Sequence, residues 1–213
     1  MRHTPDLLLP CPHCGALARQ PGPFRGGFAG ARFWTDGRVY APMVPEIPAA
    51  TQCGACGGFY WCADISPAGQ VSFGDPKAPD AWLEAPPTRQ LDAAGVLQAL
   101  QAGLGDTTAR EKRLRIMAWH RANDAVRPEH PGQRPAELPT ADYAENGARL
   151  LVLLDAGAEG EALIRIELLR NLGHLDQALE AIDRLWSPGA TPIAQQITQA
   201  LEAGRTAVER IWR

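Results

Sequence analysis

Cys11-Pro12-His13-Cys14-Gly15 and Cys53-Gly54-Ala55-Cys56-Gly57 decide how the first part of this 213-residue chain folds. Each stretch places two thiols on one tight turn. Each follows its second Cys with a Gly, where such a turn needs a positive φ. A turn of this kind aims backbone N–H groups at the sulfurs and spreads their negative charge. Two turns brought together supply four sulfurs in a tetrahedron, the closed shell of a structural Zn²⁺ site. The 38 residues between the pairs include a predicted hairpin, so the turns can come from neighbouring loops.

Cys11, Cys14, Cys53 and Cys56 are therefore read as the ligands of one structural zinc ion. Two other uses of the same spacing stay open at this level. A rubredoxin-like iron site is built from similar turns, although nothing else here suggests electron transfer. A Cys-x-x-Cys redox pair is the other, although no βαβ pattern surrounds either motif. His3 or His13 could replace a ligand, but four cysteines suffice. Cys62, the fifth cysteine, reads as a small buried residue on a strand.

With these motifs the sequence resembles the zinc-ribbon class over roughly residues 8–62. That resemblance implies two knuckles carried on short β-hairpins, with a longer spacing between them than in the smallest ribbons. The run Phe33-Trp34-Thr35-Asp36-Gly37 through Ala41-Pro42-Met43-Val44-Pro45-Glu46, then the second Cys pair and Phe59-Tyr60-Trp61, resembles a group of uncharacterised bacterial proteins. That likeness covers residues 8–65 and implies no activity.

Composition shifts near residue 87. Residues 1–87 hold all five Cys and 10 of the 14 aromatics, whereas 88–213 hold no Cys and show helical periodicity. Pro79, Pro86 and Pro87 mark the seam. The expected organisation is a zinc-ribbon β module over 1–87, a two-helix connector over 88–127, a Pro-rich linker over 128–139 and a helical module over 140–213. The fold class is α+β, with the helical part either a repeat-like hairpin or a plain bundle.

In the first region, Ala31–Trp34 and Arg38–Tyr40 flank Thr35-Asp36-Gly37, a good hairpin signal. Gly58–Cys62 and Gln70–Phe73 read as further strands. Between residues 11 and 62 the aliphatics are only Leu17, Val39, Val44 and Ile47. So little aliphatic mass leaves the aromatics and the metal to hold the module. Loss of one thiol is then expected to unfold residues 8–75 while 140–212 stay helical. The aromatics of this region read as a mini-core around the metal or as an exposed binding platform, and on the second reading, if Phe33 faces inward, alternation puts Trp34 outward. On that reading Trp34, Asp36 and Arg38 share an exposed tip and form a candidate interaction surface.

In the second region, Leu91, Ala94, Leu97 and Leu100 sit at helical spacing and end at Gly103 and Gly105. Thr107 or Thr108 caps the next helix. That helix carries Arg110, Lys112, Arg113, Arg115, Arg121 and Arg127, and Trp119 is placed to anchor it to the ribbon. Arg113 and Arg121 join the candidate interaction surface. A basic helix beside a ribbon invites a nucleic-acid reading. Charge argues for ordinary solvation: residues 1–87 carry 6 basic and 7 acidic side chains, and the whole chain is at −3.

Four more helices are expected near 140–155, 159–172, 175–186 and 190–212. Leu168 through Ile182 resembles the turn of a tetratricopeptide repeat, with Gly173, Leu175, Ala178 and Ile182 matching. Ile166 departs from it, and Pro188 fits only loosely. The likeness covers one repeat, residues 159–188. It implies a concave face for a protein partner, and it requires flanking helices to cover the pair.

There is no Gly-rich phosphate loop, no GxSxG and no HExxH, and none of the five His sits at a catalytic spacing. No run of about 20 apolar residues spans a membrane, and no secretory signal opens the chain. The expected protein is a cytoplasmic, non-enzymatic zinc-binding adaptor for protein–protein contact. The alternative is a nucleic-acid-binding regulator acting through residues 110–127.

Overall fold

The computed structural model describes residues 4–22, 29–72, 74, 76–127, 138, 140–185 and 192–211. The chain is α+β. Its elements in order are β1 (Asp6–Pro10), β2 (Leu17–Gln20), β3 (Arg32–Trp34), β4 (Val39–Tyr40), β5 (Ala50–Gln52), β6 (Phe59–Trp61), β7 (Gly69–Val71), α1 (Asp80–Leu83), α2 (Ala93–Gln101), α3 (Thr108–Asp124), α4 (Ala141–Leu153), α5 (Glu159–Asn171), α6 (Leu175–Leu185), α7 (Pro192–Glu202) and β8 (Arg210–Ile211). A 3₁₀ turn over Cys62–Asp64 follows β6. Of the Pro-rich linker only Leu138 and Thr140 fall among or beside described residues, and Pro188, Phe24, Phe28 and Phe73 lie outside them. No helix among the described residues is long and apolar enough to cross a membrane.

The chain divides into two compact units, and the division does not follow the compositional seam at residue 87. One unit gathers Met1–Gly30, Ala41–Leu91 and Gln98–Leu104. The other gathers Ala31–Tyr40, Asp92–Leu97 and Gly105–Arg213. The hairpin β3–β4 thus belongs with the helices, although it lies between the two cysteine pairs in sequence.

The first unit holds two small antiparallel sheets, ordered β2-β1-β7 and β5-β6. Leu8, Val71 and Ala85 are buried together, with Leu17 and Trp82 packed on them. Gly69 is required here: a Cβ would stand 2.2 Å from the Trp82 ring. Cys62 is buried, as its reading as a core residue requires, and burial pushes its thiol up to about 11.

In the second unit, α5 and α6 form a hairpin whose turn is Gly173, at φ +82°. Ile166, Leu169, Ala178 and Ile182 are buried with Ile197 and Leu201 of α7. Helix α4 covers the other side, where Trp119, Tyr143, Leu150, Leu154 and Leu168 share a core. Gly147 permits this close approach, since a Cβ there would meet Leu172 at 3.0 Å. The helical pair is therefore covered on both sides, as a lone pair must be.

One expectation fails here. The last helix stops at Glu202, and Gly204 turns the chain at φ +65°. Residues 210–211 then form β8, which pairs with β3, because the Thr35 N–H bonds the Glu209 carbonyl at 2.9 Å and the Glu209 N–H bonds Thr35 Oγ1. In α2 the buried residues are Val96 and Ala99, while Leu91 lies ahead of the helix. Trp119 is buried within the helical unit. Its Nε1–H donates to the Tyr143 hydroxyl at 2.9 Å and to Asn171 Oδ1 at 3.2 Å, inside the helical unit.

The hairpin tip is also not an exposed surface. Trp34 and Asp36 are each 2% exposed. The Arg127 guanidinium donates to both carboxylate oxygens of Asp36 and lies 5.0 Å from the Trp34 ring centroid. Asn123 Nδ2 donates to Asp36 Oδ2, and His120 Nε2 bonds the Asp36 carbonyl. Burial pushes the Asp36 carboxyl up, but Arg127, His120 and Asn123 together hold it below its usual range. Beside it, Thr35 donates to Glu167 Oε1, and Arg170 closes an ion pair with Glu167 in which both side chains are fully buried.

Removing one partner of a buried pair strands the other charge. Arg127→Met is expected to destabilise the helical unit by roughly 3–5 kcal/mol, read by urea unfolding followed through helical circular dichroism. Arg113 is exposed, so Arg113→Ala should stay within about 0.5 kcal/mol of the parent.

Candidate metal centre

The two cysteine motifs fold as a matched pair of knuckles. In each, the hairpin register runs unbroken into the turn. The Cys11 N–H bonds the Ala16 carbonyl at 2.8 Å, and the Cys53 N–H bonds the Gly58 carbonyl at 2.9 Å. Gly15 and Gly57 donate back to the carbonyls of Cys11 and Cys53, with φ at +77° and +73°. The His13 and Ala55 N–H groups each point at the first sulfur of their knuckle, at 3.4 Å. These are the contacts that spread thiolate charge.

The four Sγ atoms of Cys11, Cys14, Cys53 and Cys56 all lie within 4.8 Å of one another. The short edges cross between knuckles: Cys11 to Cys56 at 3.7 Å and Cys14 to Cys53 at 3.7 Å. A disulfide needs about 2.05 Å, and all five cysteines are free. Tetrahedral bonds of about 2.3 Å to zinc would set sulfur–sulfur edges of about 3.8 Å. The sulfur set therefore fits a four-coordinate, thiophilic ion. Cys11 and Cys53 are buried, whereas Cys14 and Cys56 are exposed.

Without a cation the thiols of Cys53, Cys14 and Cys11 are shifted in different directions. Backbone N–H groups of Cys56 and Ala55, with the thiols of Cys11 and Cys14, pull Cys53 down to about 6 despite burial. The Ala16 N–H pulls Cys14 down, but its sulfur neighbours Cys56, Cys53 and Cys11 and the partial loss of water around it outweigh that and push it up to about 12. Burial raises Cys11 as well.

His13 is not a ligand. Its Nε2 meets the Phe59 carbonyl at 3.0 Å and so ties the first knuckle to the second hairpin. Gly58 makes room for it, because a Cβ there would stand 2.4 Å from the imidazole. The Gly57-Gly58 doublet was the available sequence signal for this packing. Tyr60 is buried against Cys11 and Cys53, and burial pushes its hydroxyl up to about 12.

The remaining candidate residues are not gathered at this centre. Trp34, Asp36 and Arg38 sit in the helical unit, where Arg38 lies 3.7 Å from Asp124. Arg113 is exposed on α3, and Arg121 pairs with Asp124 at 3.4 Å. Other cations of that helix are likewise matched: Lys112 with Glu161, Arg115 with Glu111, and Arg127 with Asp36 and Asp124. No protein-family model, curated protein or solved structure matches the chain.

Two outcomes follow. Cys53→Ser should lose the metal and unfold the first unit. The helical unit should survive it with the hairpin of residues 31–40, because these have their own core; two-dimensional NMR of labelled protein would separate the two sets of signals. Metal binding must also release protons from thiols. Affinity for Zn²⁺ should therefore fall by more than about tenfold per pH unit on going from pH 7.5 to 6, measured by competition with a chromogenic chelator.

Proposed function

We propose that this chain is a non-enzymatic adaptor in which one zinc ion holds a β module and the chain contacts a protein partner. The observation that carries the reading is the closed shell: four thiol sulfurs at tetrahedral spacing leave no position for a water or a substrate. A closed site contributes folding free energy, on the order of 10 kcal/mol for small zinc modules. Zinc is preferred to iron because the site belongs to a chain with no other redox feature.

The helical hairpin α5–α6 supports the partner-binding half of the reading, by its likeness to one tetratricopeptide repeat. The matched cations of α3 speak against a phosphate-binding face, since each carboxylate partner would have to be displaced first. The free thiols suit a reducing, cytoplasmic setting.

Purified protein is expected to carry one zinc per chain by elemental analysis. Affinity capture from a host lysate with the zinc-loaded protein should retain a specific protein, and nuclease treatment should leave that capture unchanged. Recovery of nucleic acid alone, with affinity falling steeply between 50 and roughly 200 mM salt, would point instead to the regulator acting through residues 110–127.

A further inference from the structure

The two knuckles are matched in backbone but not in what lies between their cysteines. Antiparallel ladders alternate hydrogen-bonded and open pairs. Since Cys53 bonds Gly58, the next pair, Gln52 with Phe59, turns its backbone groups outward. Since Cys11 bonds Ala16, the pair Pro10 with Leu17 does the same. Phe59 and Leu17 thus occupy equivalent places, six residues after the first Cys of each motif. The outward Phe59 carbonyl is taken by His13. The equivalent of His13 in the second knuckle is Ala55, whose side chain is too short to reach the Leu17 carbonyl.

A groove of about 600 Å³ opens at that place, lined by Leu17, Gln52, Ala55, Tyr60 and the strap Pro86–Arg89. Its wall is mainly apolar. The strap already shows how β2 accepts an extended segment: the Arg19 N–H bonds the Pro86 carbonyl at 2.7 Å, and the Thr88 N–H bonds the Arg19 carbonyl at 2.7 Å. One step along the same edge, Leu17 has no such neighbour among the described residues, and Gln52, whose outward backbone groups bond no described residue, lines the groove from β5. Two polar groups stand at the strap. The Thr88 hydroxyl is buried with no hydrogen-bond partner among the described residues. Arg89 is exposed, and its guanidinium likewise has no partner among them, since its recorded bonds use only the backbone.

We infer that this groove binds a short extended peptide that adds to the open edges of β2 and β5, places an apolar side chain over Ala55 and sets a carboxylate against Arg89. Open backbone edges supply affinity for a strand, and the apolar wall and the lone cation supply its specificity. A phosphate would be served by the cation but not by the wall, and an apolar small molecule would leave the backbone edges unmet. The inference rests on the adaptor reading and names the surface it uses.

The test is a phage-displayed library of random twelve-residue peptides, selected on the full-length zinc-loaded protein. Recovered sequences are then made as fluorescein-labelled peptides and titrated by fluorescence polarisation. Enriched peptides should combine alternating apolar residues with an acidic residue or free C-terminus. Ala55→His should fill the groove as His13 fills its counterpart and weaken binding at least tenfold. Arg89→Glu, on an exposed side chain, should weaken it severalfold. Zinc content and melting temperature should match the parent in both. The inference is overturned if no sequence enriches, or if the enriched peptides bind both variants as tightly as the parent. A protein captured from lysate that holds Ala55→His and Arg89→Glu undiminished would also overturn it while leaving the adaptor reading standing.

Discussion

Four sulfurs within 4.8 Å of one another cannot all be thiolates unless a cation sits among them. Two negative charges at this separation repel by about 1 kcal/mol even in water, and by several times that near a protein surface. The first unit depends on how this repulsion is resolved. Its two sheets have three strands and two strands. A two-stranded sheet is marginal in isolation, and three strands are the least that a hydrophobic face can stabilise. The apolar cluster of Leu8, Val71 and Ala85 belongs to one sheet only. The hairpins β1–β2 and β5–β6 meet at the sulfur set, at the Tyr60 ring packed on it, at the bond from His13, and through the strap that bonds Arg19 on one side and Thr51 on the other. A cation bound among the four sulfurs would convert this repulsive cluster into an attractive one.

The second unit resolves its buried charges without a metal. Asp36, Arg127, Glu167 and Arg170 are all nearly or fully buried, and each finds an opposite charge and further hydrogen bonds. Such networks are costly to desolvate and add little net stability over an apolar core. Their effect is to specify. The hairpin β3–β4 can dock in one register only, because Thr35 and Asp36 must meet Glu167 and Arg127 together. The C-terminal strand is then fixed in turn by Thr35, through Glu209. A segment of two residues, β8, is held at a defined place by a polar network set up elsewhere in the chain.

The difference between the two units explains what could be read in the sequence. A metal knuckle is local: Cys-x-x-Cys-Gly states its turn, its ligands and its glycine within five residues, and the whole centre was legible from Cys11 and Cys53 onward. The helix spans of residues 108–185 were legible for the same reason, since periodicity and caps such as Thr107 and Thr140 act within a turn. The hairpin itself was legible at Asp36-Gly37, but its destination was not. Alternation tells that Phe33 and Trp34 face opposite ways, and does not tell which elements cover either face. Asp36 finds Arg127 at a separation of 91 residues, and no short-range pattern encodes that. The charged run on α3 left two readings open in sequence, because partners such as Glu161 for Lys112 lie far along the chain. A cation neutralised by a distant carboxylate looks, in sequence, like one left for a ligand.

The metal constrains less of the knuckle than the motif suggests. It requires the sulfurs, the N–H groups at the third position and the glycine at the fifth, and these are the features in which the two knuckles agree. The side chains at positions 13 and 55 point away from the sulfurs. One is an imidazole that closes the outward carbonyl of Phe59, and the other is a methyl group that leaves the carbonyl of Leu17 uncovered. Changing a thiol therefore acts on the fold, whereas changing the residue beside it acts on the surface. The two kinds of position use different atoms of the same five-residue turn, so a change at one need not disturb the other. On the proposed reading, that separation would let a closed metal site shape a surface for a partner without giving up its hold on the fold.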